Sequence, residues 1–144
     1  MGGDILADFP VQTRREVAWG QMDVFAHVNN VVYFRWFEDA RIAYFNQIGM
    51  LKHMEAHRVG PILASTSCRF KAPVAYPDTV ILGATVRELD DDRFTMNYAI
   101  YSESLGRIAA EGTGLIVMFD YANKQKASLP DILRGRIEAL EGSP

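Results

Sequence analysis

The hydrophobic period of the sequence changes once, and that change restricts the fold more than any other feature. From residue 33 to residue 48, apolar side chains recur every three or four positions, which is the spacing of one face of an α-helix. After Gly60 they recur at every second position, which is the spacing of a strand with one buried face. The sequence therefore predicts one long helix that is followed by a series of strands.

Both ends of the predicted helix carry residues that favour helix termination. Asn29 or Asn30 can cap the first turn, because a short amide side chain accepts from its free N–H groups. Gly49 can adopt the left-handed conformation that ends a helix. The apolar face consists of Tyr33, Phe37, Ala40, Tyr44 and Ile48, widened by Phe34, Trp36 and Phe45. Aromatic side chains bury large areas, so we expect this helix to be central to the core.

Strands account for most of the remaining sequence. A first strand is expected over residues 11–19, before the helix, and four more over residues 60–71, 80–86, 94–100 and 107–119. In the second strand, Ile62, Ala64, Thr66, Cys68 and Phe70 are expected to share one face. Short turns between consecutive strands favour antiparallel pairing, and a last helix is expected over residues 130–140. The fold class is therefore α+β, with an antiparallel sheet packed on one long helix.

Length and charge restrict the domain organisation and the partners. A chain of 144 residues suits a single domain, residues 1–144, because two separate cores would each be very small. The net charge is -3, and the sequence has no cluster of Lys and Arg. We therefore expect neither nucleic acid nor a membrane surface as a partner.

The expected compartment is the cytoplasm. Cys68 is the one cysteine, so an intramolecular disulfide is excluded and a reducing environment is favoured. The first ten residues, MGGDILADFP, lack the basic start and the apolar core of a signal peptide.

The polar chemistry of the chain is concentrated where the first strand gives way to the long helix. The stretch WGQMDVFAHVNNVVYF places Asp23, His27, Asn29 and Asn30 within eight residues of one another. The N–H groups of a first helical turn lack partners within the helix, and the helix dipole is positive there. A carboxylate beside such a helix end supplies a base or a nucleophile next to a site that stabilises an oxyanion.

This stretch carries a family resemblance. Its residues form the pattern G-x-x-D-x-x-x-H-V-N-N-x-x-Y, from Gly20 to Tyr33. Together with the segments FKAPV and EGTGLIVMF, the pattern resembles the 4-hydroxybenzoyl-CoA thioesterase type of hotdog-fold enzyme, especially its bacterial acyl-CoA thioesterase branch. The resemblance covers nearly the whole chain. It implies a five-stranded antiparallel sheet wrapped around one long central helix, and an enzyme that hydrolyses acyl-CoA to a carboxylic acid and free CoA without a cofactor.

The resemblance also implies roles for individual residues. Asp23 attacks the thioester or activates the water that does so, and the backbone N–H of Asn30 polarises the thioester carbonyl. His27 and Tyr33 match positions that shape the site. Gln21 stands where several relatives carry a second acid, which argues against a mechanism with two carboxylates.

The resemblance further implies a homodimer or a dimer of dimers, with each active site between two subunits. Ser65, Ser67 and Arg69 on the second strand, with Thr113 on the last, are the candidates for the facing wall of that site. Arg69 and Lys71 are also candidates to meet the phosphates of CoA, although solvated strand-edge charges explain them equally well.

Other functions remain as alternatives. A non-catalytic module that binds an acyl or aromatic ligand could use the same fold, but it would not need a carboxylate at its pocket mouth. A hotdog dehydratase is a third candidate, and its usual histidine-bearing motif is not recognisable. A metal site is not expected, because His53 and His57 have no identifiable third ligand. The acyl group, the carrier of the thioester and the choice between base and nucleophile for Asp23 stay open.

Overall fold

One long helix lies against an antiparallel sheet in the computed structural model, which describes residues 5–142. The strands are β1 (Val11–Glu16), β2 (Val59–Phe70), β3 (Thr79–Arg87), β4 (Arg93–Ser102), β5 (Arg107–Asp120) and β6 (Gln125–Lys126). The helices are α1 (Asn30–Ile48), α2 (Met50–His57) and α3 (Asp131–Glu141). The α+β class that the sequence predicts is confirmed, with the antiparallel sheet packed against α1. No helix within residues 5–142 has the length and apolarity needed to cross a membrane.

The strands are not arranged in the order of the chain. The sheet runs β1-β3-β4-β5-β2, with β6 added to β5. The hairpins β3–β4 and β4–β5 confirm the antiparallel pairing predicted from short turns. Strand β2 instead pairs with β5, so the connection from β2 to β3 crosses the sheet. As a result β2 forms one border of the sheet, with no partner strand from residues 5–142 on its outer side.

Helix α1 fills the space beneath the sheet. The five residues of its predicted apolar face, Tyr33, Phe37, Ala40, Tyr44 and Ile48, are all 3% exposed or less. Asn29 is the N-cap, and its side-chain oxygen accepts from Val31 N–H at 2.9 Å. Gly49 ends the helix with a φ of 76°. Both predicted ends are therefore confirmed, and Asn29 rather than Asn30 is the cap.

Two glycines of β5 make room for one aromatic ring from α1 and one from β4. A Cβ at Gly112 would lie 2.3 Å from Phe37 Cε2, and one at Gly114 would lie 2.7 Å from the hydroxyl of Tyr98. The rings of Phe37 and Tyr98 stack with their centroids 5.0 Å apart. Any larger residue at either position would have to push these rings out of their places.

Several predicted boundaries differ from the structure. Strand β1 ends at Glu16 instead of residue 19, because Val17 N–H donates to Asp78 O and a short 3₁₀ turn follows at Trp19–Gln21. Helix α2 was not predicted, since it has eight residues and only Met50 of them is buried. Strand β6 has two exposed residues and no sequence signal.

A bulge in β2 changes which of its side chains face the helix. The register jumps between Leu63, which pairs with Ile116, and Ser65, which pairs with Leu115. Ala64 is therefore the extra residue, and the alternation on its two sides is out of phase. Leu63 shares the helix side with Thr66, Cys68 and Phe70, so the predicted common face of Ile62 and Ala64 with these residues is wrong.

Helix α3 is attached to the rest of the molecule by a carboxylate. Glu141 accepts from the hydroxyls of Tyr44 and Thr85, each at 2.6 Å, and from Val86 N–H at 2.8 Å. Its side chain is only 10% exposed. Burial and the neighbouring Glu141 carboxylate raise the pKa of Tyr44, so its hydroxyl remains a donor.

Candidate active site

Asp23 lies in a tight turn that leads into α1. Its N–H donates to His27 O at 2.9 Å, and its own carbonyl accepts from Ala26 N–H at 3.0 Å. One carboxylate oxygen accepts from Phe25 N–H at 2.9 Å, which fixes the side chain above the turn. Ala26 completes the turn with a φ of 63°. The carboxylate is thus both exposed and held in one orientation.

The first turn of α1 presents one unused backbone donor beside this carboxylate. The Asn29 side chain accepts from Val31 N–H, and Asn29 O accepts from Val32 N–H. Among residues 5–142, Asn30 N–H has no acceptor within hydrogen-bond distance. It also lies at the positive end of the 19-residue helix, where a developing negative charge is stabilised.

Asp23 and Asn30 line the same surface depression, whose volume is about 500 Å³. His27, Tyr33 and Lys71, three of the other residues predicted from sequence, line it as well. Its remaining walls are Phe25, Val28, Phe70, Ala72 and Pro73. The apolar walls were not assigned from sequence, although the segment FKAPV, residues 70–74, was a signal for them.

Tyr33 supports the depression from beneath. It is buried, its ring packs edge-on against Trp36 and Phe70, and its hydroxyl accepts from Val74 N–H at 3.4 Å. Burial is the main cause of the raised pKa of Tyr33, so the hydroxyl stays protonated. Val74 O in turn accepts from Val28 N–H at 2.8 Å. Tyr33 therefore joins residues 70–74 to the start of α1.

Gln21 holds the loop ahead of Asp23. Its side-chain oxygen accepts from Ala18 N–H at 2.8 Å, and its backbone carbonyl accepts from Asn29 N–H at 2.9 Å. The side-chain amide of Gln21 thus stabilises the loop at this point. Asp23 is the one carboxylate among the residues that line the described depression.

Ser65, Ser67 and Arg69 lie on the other face of the sheet. Ser67 pairs with Thr113, and their hydroxyl oxygens are 2.8 Å apart. Ser67, Arg69 and Thr113 line a separate depression of about 490 Å³ together with Asn97 and Glu111. Within one copy of the chain, the structure does not bring these residues to Asp23. Their assignment to the substrate site stays a prediction.

The histidine pair and the cysteine are outside this depression. His53 and His57 stack with ring centroids 4.4 Å apart, and no group of three metal-binding side chains occurs among residues 5–142. Burial raises the pKa of the Cys68 thiol to about 11, which disfavours the thiolate that nucleophilic chemistry requires.

The sequence matches one family model. That family is described as the thioesterase-like superfamily, and the match covers residues 17–137. The matched range includes the turn with Asp23, helix α1 and strands β2 to β5.

Individual relatives are named as thioesterases or esterases. The long-chain acyl-CoA thioesterase FadM of Escherichia coli K12 is 22% identical over 130 residues, which cover 90% of this chain and 98% of the relative. A putative esterase of Aquifex aeolicus VF5 is 28% identical over 97 residues, 67% of this chain and 76% of the relative. A thioesterase of Thermus thermophilus, solved as a complex with coenzyme A and Zn, is 33% identical with a TM-score of 0.82. That alignment covers 95% of this chain and 98% of the solved one.

Proposed function

The chain belongs to the thioesterase-like superfamily, and we propose that it hydrolyses an acyl-CoA thioester at the depression between Asp23 and the start of α1. That the chain is a thioester hydrolase follows from its family and its named relatives. The observation that carries the assignment of the site is the unused Asn30 N–H beside the oriented carboxylate of Asp23.

The proposed reaction uses Asp23 as a general base. Asp23 takes a proton from a water molecule, whose oxygen attacks the thioester carbonyl carbon. The carbonyl oxygen becomes an oxyanion and accepts from Asn30 N–H at the positive end of the helix. Collapse of this intermediate breaks the carbon–sulfur bond, and the CoA thiolate leaves readily because a thiolate, whose thiol has a pKa of about 8.5, is a weak base. The proton on Asp23 then passes to the thiolate or to solvent.

The alternative role for Asp23 is that of a nucleophile. Its carboxylate would then form a mixed anhydride with the acyl group, and water would hydrolyse that intermediate. A single turnover in ¹⁸O-labelled water detects the nucleophile role when water attacks the Asp23 carbonyl carbon of the anhydride, because the label then enters the side chain. We expect the label in the released acid and none in the Asp23 side chain; a labelled side chain would instead establish the anhydride route.

The polar part of the substrate has four candidate contact residues, which lie on two faces of the sheet. Lys71 lines the depression with Asp23 and forms an ion pair with Glu111 at 3.1 Å. We propose that it meets a phosphate of CoA, the ligand bound by the Thermus thermophilus relative. Ser65, Ser67 and Arg69 are proposed as secondary contacts for the remainder of CoA.

We also propose that the working form is a homodimer, alone or within a dimer of dimers. Val24 is 91% exposed and Phe25 77% exposed, and Val31 and Phe70 nearby are exposed as well. An apolar surface of this kind around a polar site marks an interaction surface. Strand β2 also has an outer edge whose backbone groups can pair with a second copy.

The test of the proposed function is a hydrolysis screen. Acyl-CoA thioesters of increasing length, together with aromatic ones, are assayed for thiol release with the wild-type protein and with Asp23→Ala. Hydrolysis that depends on Asp23 is the expected result. A wild-type protein that hydrolyses none of them, or an Asp23→Ala variant with full activity, would refute the assignment.

A further inference from the structure

An ion pair at the end of β2 joins the depression at Asp23 to the depression on the other face of the sheet. Lys71 lines the first of these depressions, and Glu111 lines the second. Lys71 Nζ lies 3.1 Å from Glu111 Oε1, so the ammonium group has a carboxylate of β5 as its partner. A phosphate that binds to Lys71 must therefore replace this carboxylate or share the ammonium group with it.

The backbone at the base of Lys71 is held in place, while its side chain is free to change partner. Lys71 N–H and Ala72 N–H both donate to Ala109 O, at 2.8 Å and 3.1 Å. The ion pair itself is accessible to solvent, because both of its side chains are partly exposed. A lysine side chain is a flexible four-carbon stem with a compact charge at its end. The ammonium group can therefore move from Glu111 to a ligand without a movement of the chain.

Glu111 also faces the second cation that the proposed function assigns to CoA. In the register of β2 and β5, Glu111 is paired directly with Arg69, and both residues line the depression on the outer face. Asp23 and Glu111 are the two carboxylates among the residues that line the two described depressions. Asp23 has a part in the proposed reaction, whereas Glu111 has none. A carboxylate placed between two such cations opposes the binding of phosphate.

We propose that Glu111 determines how tightly the phosphates of CoA are held, by competing with them for the ammonium group of Lys71. This inference rests on the proposed function, and it adds the residue that opposes the CoA contact. The contact between Lys71 and Glu111 breaks as the contact between Lys71 and a phosphate forms, and no covalent bond changes. The affinity for CoA is reduced by the free energy of the contact that is lost.

The competition acts on the product as well as on the substrate. Hydrolysis breaks the bond between the acyl group and sulfur, but free CoA keeps the phosphates that acyl-CoA had. Glu111 therefore favours the release of CoA after each turnover and limits inhibition by this product. An exposed ion pair contributes little free energy, so we expect an effect on CoA affinity of about two- to fivefold.

Isothermal titration calorimetry with free CoA tests the proposal, and pantetheine, which has no phosphate, is the comparison ligand. Glu111→Gln removes the competing charge, so it should lower the Kd of CoA about two- to fivefold. Lys71→Met removes the ammonium group and keeps a stem of similar length, so it should raise this Kd by about the same factor. Neither change should alter the Kd of pantetheine.

The double variant separates competition for Lys71 from simple repulsion between Glu111 and CoA. If Glu111 acts through Lys71, the effects of the two substitutions are coupled. Glu111→Gln should then change the Kd of CoA by less than about twofold when Lys71 is already methionine, because only direct repulsion between exposed charges is left. An equal tightening in both backgrounds would show that Glu111 acts without Lys71, and this would overturn the proposal.

Glu103→Gln is the matched control. Glu103 forms an ion pair with Arg14 at 2.9 Å, and its side chain is 43% exposed against 48% for Glu111. Arg14 belongs to β1, which lies at the opposite border of the sheet from β2. The control therefore removes the same charge from a comparable ion pair at another place, and it should leave the Kd of CoA at the wild-type value. A tightening as large as that of Glu111→Gln would reduce the effect to net charge and refute the proposal.

These outcomes are distinct from failure of the proposed function, because binding of free CoA does not depend on hydrolysis. If the wild-type protein does not bind CoA, or if Lys71→Met leaves its Kd unchanged, both the Lys71 contact and the role of Glu111 are refuted. If Lys71→Met weakens CoA but Glu111→Gln does not tighten it, the role of Glu111 alone fails. The thioesterase assignment fails only in the hydrolysis screen with Asp23→Ala, whatever the Kd of CoA.

Discussion

At the scale of single residues, Asp23 has both a structural role and a proposed chemical role. One of its oxygens accepts from Phe25 N–H, which is the local role that an aspartate in a turn often has. The same bond orients the carboxylate towards a depression that also contains Asn30 N–H. The two roles are therefore compatible, and only a kinetic measurement can separate them.

Asp23→Asn should preserve the fold and remove the base. The amide oxygen can still accept from Phe25 N–H, but an amide does not accept a proton at neutral pH. We expect kcat to fall by about 10²–10⁴, with a much smaller change in KM, because the acyl and CoA contacts remain. Steady-state kinetics measures both values, and circular dichroism controls for folding. A variant that keeps near wild-type turnover would remove Asp23 from the mechanism.

The residues of the site could be predicted from sequence where they are close in the chain. Asp23, His27, Asn30 and Tyr33 lie within eleven residues, and a turn followed by a capped helix fixes their relative positions. Lys71 reaches the same depression from the end of β2, and the segment FKAPV was the signal for it. The structure brings all five together, while their catalytic and binding roles stay proposals.

At the scale of secondary-structure elements, long patterns were predictable and local irregularities were not. A regular apolar face that extends over nineteen residues predicts a helix. The bulge at Ala64 is different, because one extra residue in a strand leaves no mark on the pattern of residue types. The bulge therefore changes the predicted faces of Ile62 and Ala64 only; Ser65, Ser67 and Arg69 were assigned to the facing wall from the family resemblance, and in one copy they lie on the opposite face of the sheet from α1.

The carboxylate of Glu141 anchors helix α3 to α1 and β3. Glu141→Ala would leave the Tyr44 and Thr85 hydroxyls and Val86 N–H without their acceptor, and buried donors without partners are costly. We expect the free energy of unfolding to fall by about 2–4 kcal/mol in urea denaturation. Glu138→Ala, on the exposed side of the same helix, is the matched control and should change it by less than about 0.5 kcal/mol. Equal effects of the two changes would contradict the anchoring role.

Helix α2 contains a histidine that should make stability depend on pH. Burial, followed by the nearby His57 and Arg136, lowers the pKa of His53. Its Nδ1 is buried without a hydrogen-bond partner among the described residues. Because the unfolded chain binds a proton more readily than the folded one, stability should fall as the pH drops through the ordinary histidine pKa of about 6.5.

Thermal unfolding between pH 7.5 and pH 5.5 measures this effect. His53→Gln should have a smaller fall in Tm over that range than the wild-type protein. An unchanged fall in His53→Gln would show that other groups cause the pH dependence.

At the scale of the whole molecule, the sheet has a short border on one side and a long open border on the other. Strand β1 forms the short border with six residues, whereas β2 presents twelve. Sequence could indicate that an isolated sheet of this size leaves edges exposed, but not which strand would be at the border. The connection between β2 and β3, which crosses the sheet, determines which strand lies at the border. That connection depends on tertiary packing, which local residue patterns do not encode.

The open border leads to a prediction about concentration. We expect a dimer, or a dimer of dimers, whose dilution lowers the specific activity as the subunits separate, because each site would lose its shared wall. Light scattering and activity are measured over one dilution series. The two should decrease together. A monomer with full specific activity would refute both the assembly and the shared site.

The cap at Asn29 has a consequence for the ageing of the protein. Asparagine side chains lose ammonia slowly in solution and on heating, and Asn29 would become a negatively charged aspartate. Aspartate caps a helix as well as asparagine does, so α1 would persist. The new charge, however, would stand one residue from Asn30 N–H and oppose the charge that develops on the substrate oxygen. Stored samples should therefore lose turnover while their Tm is retained, in proportion to the deamidated fraction that peptide mass spectrometry finds at this position.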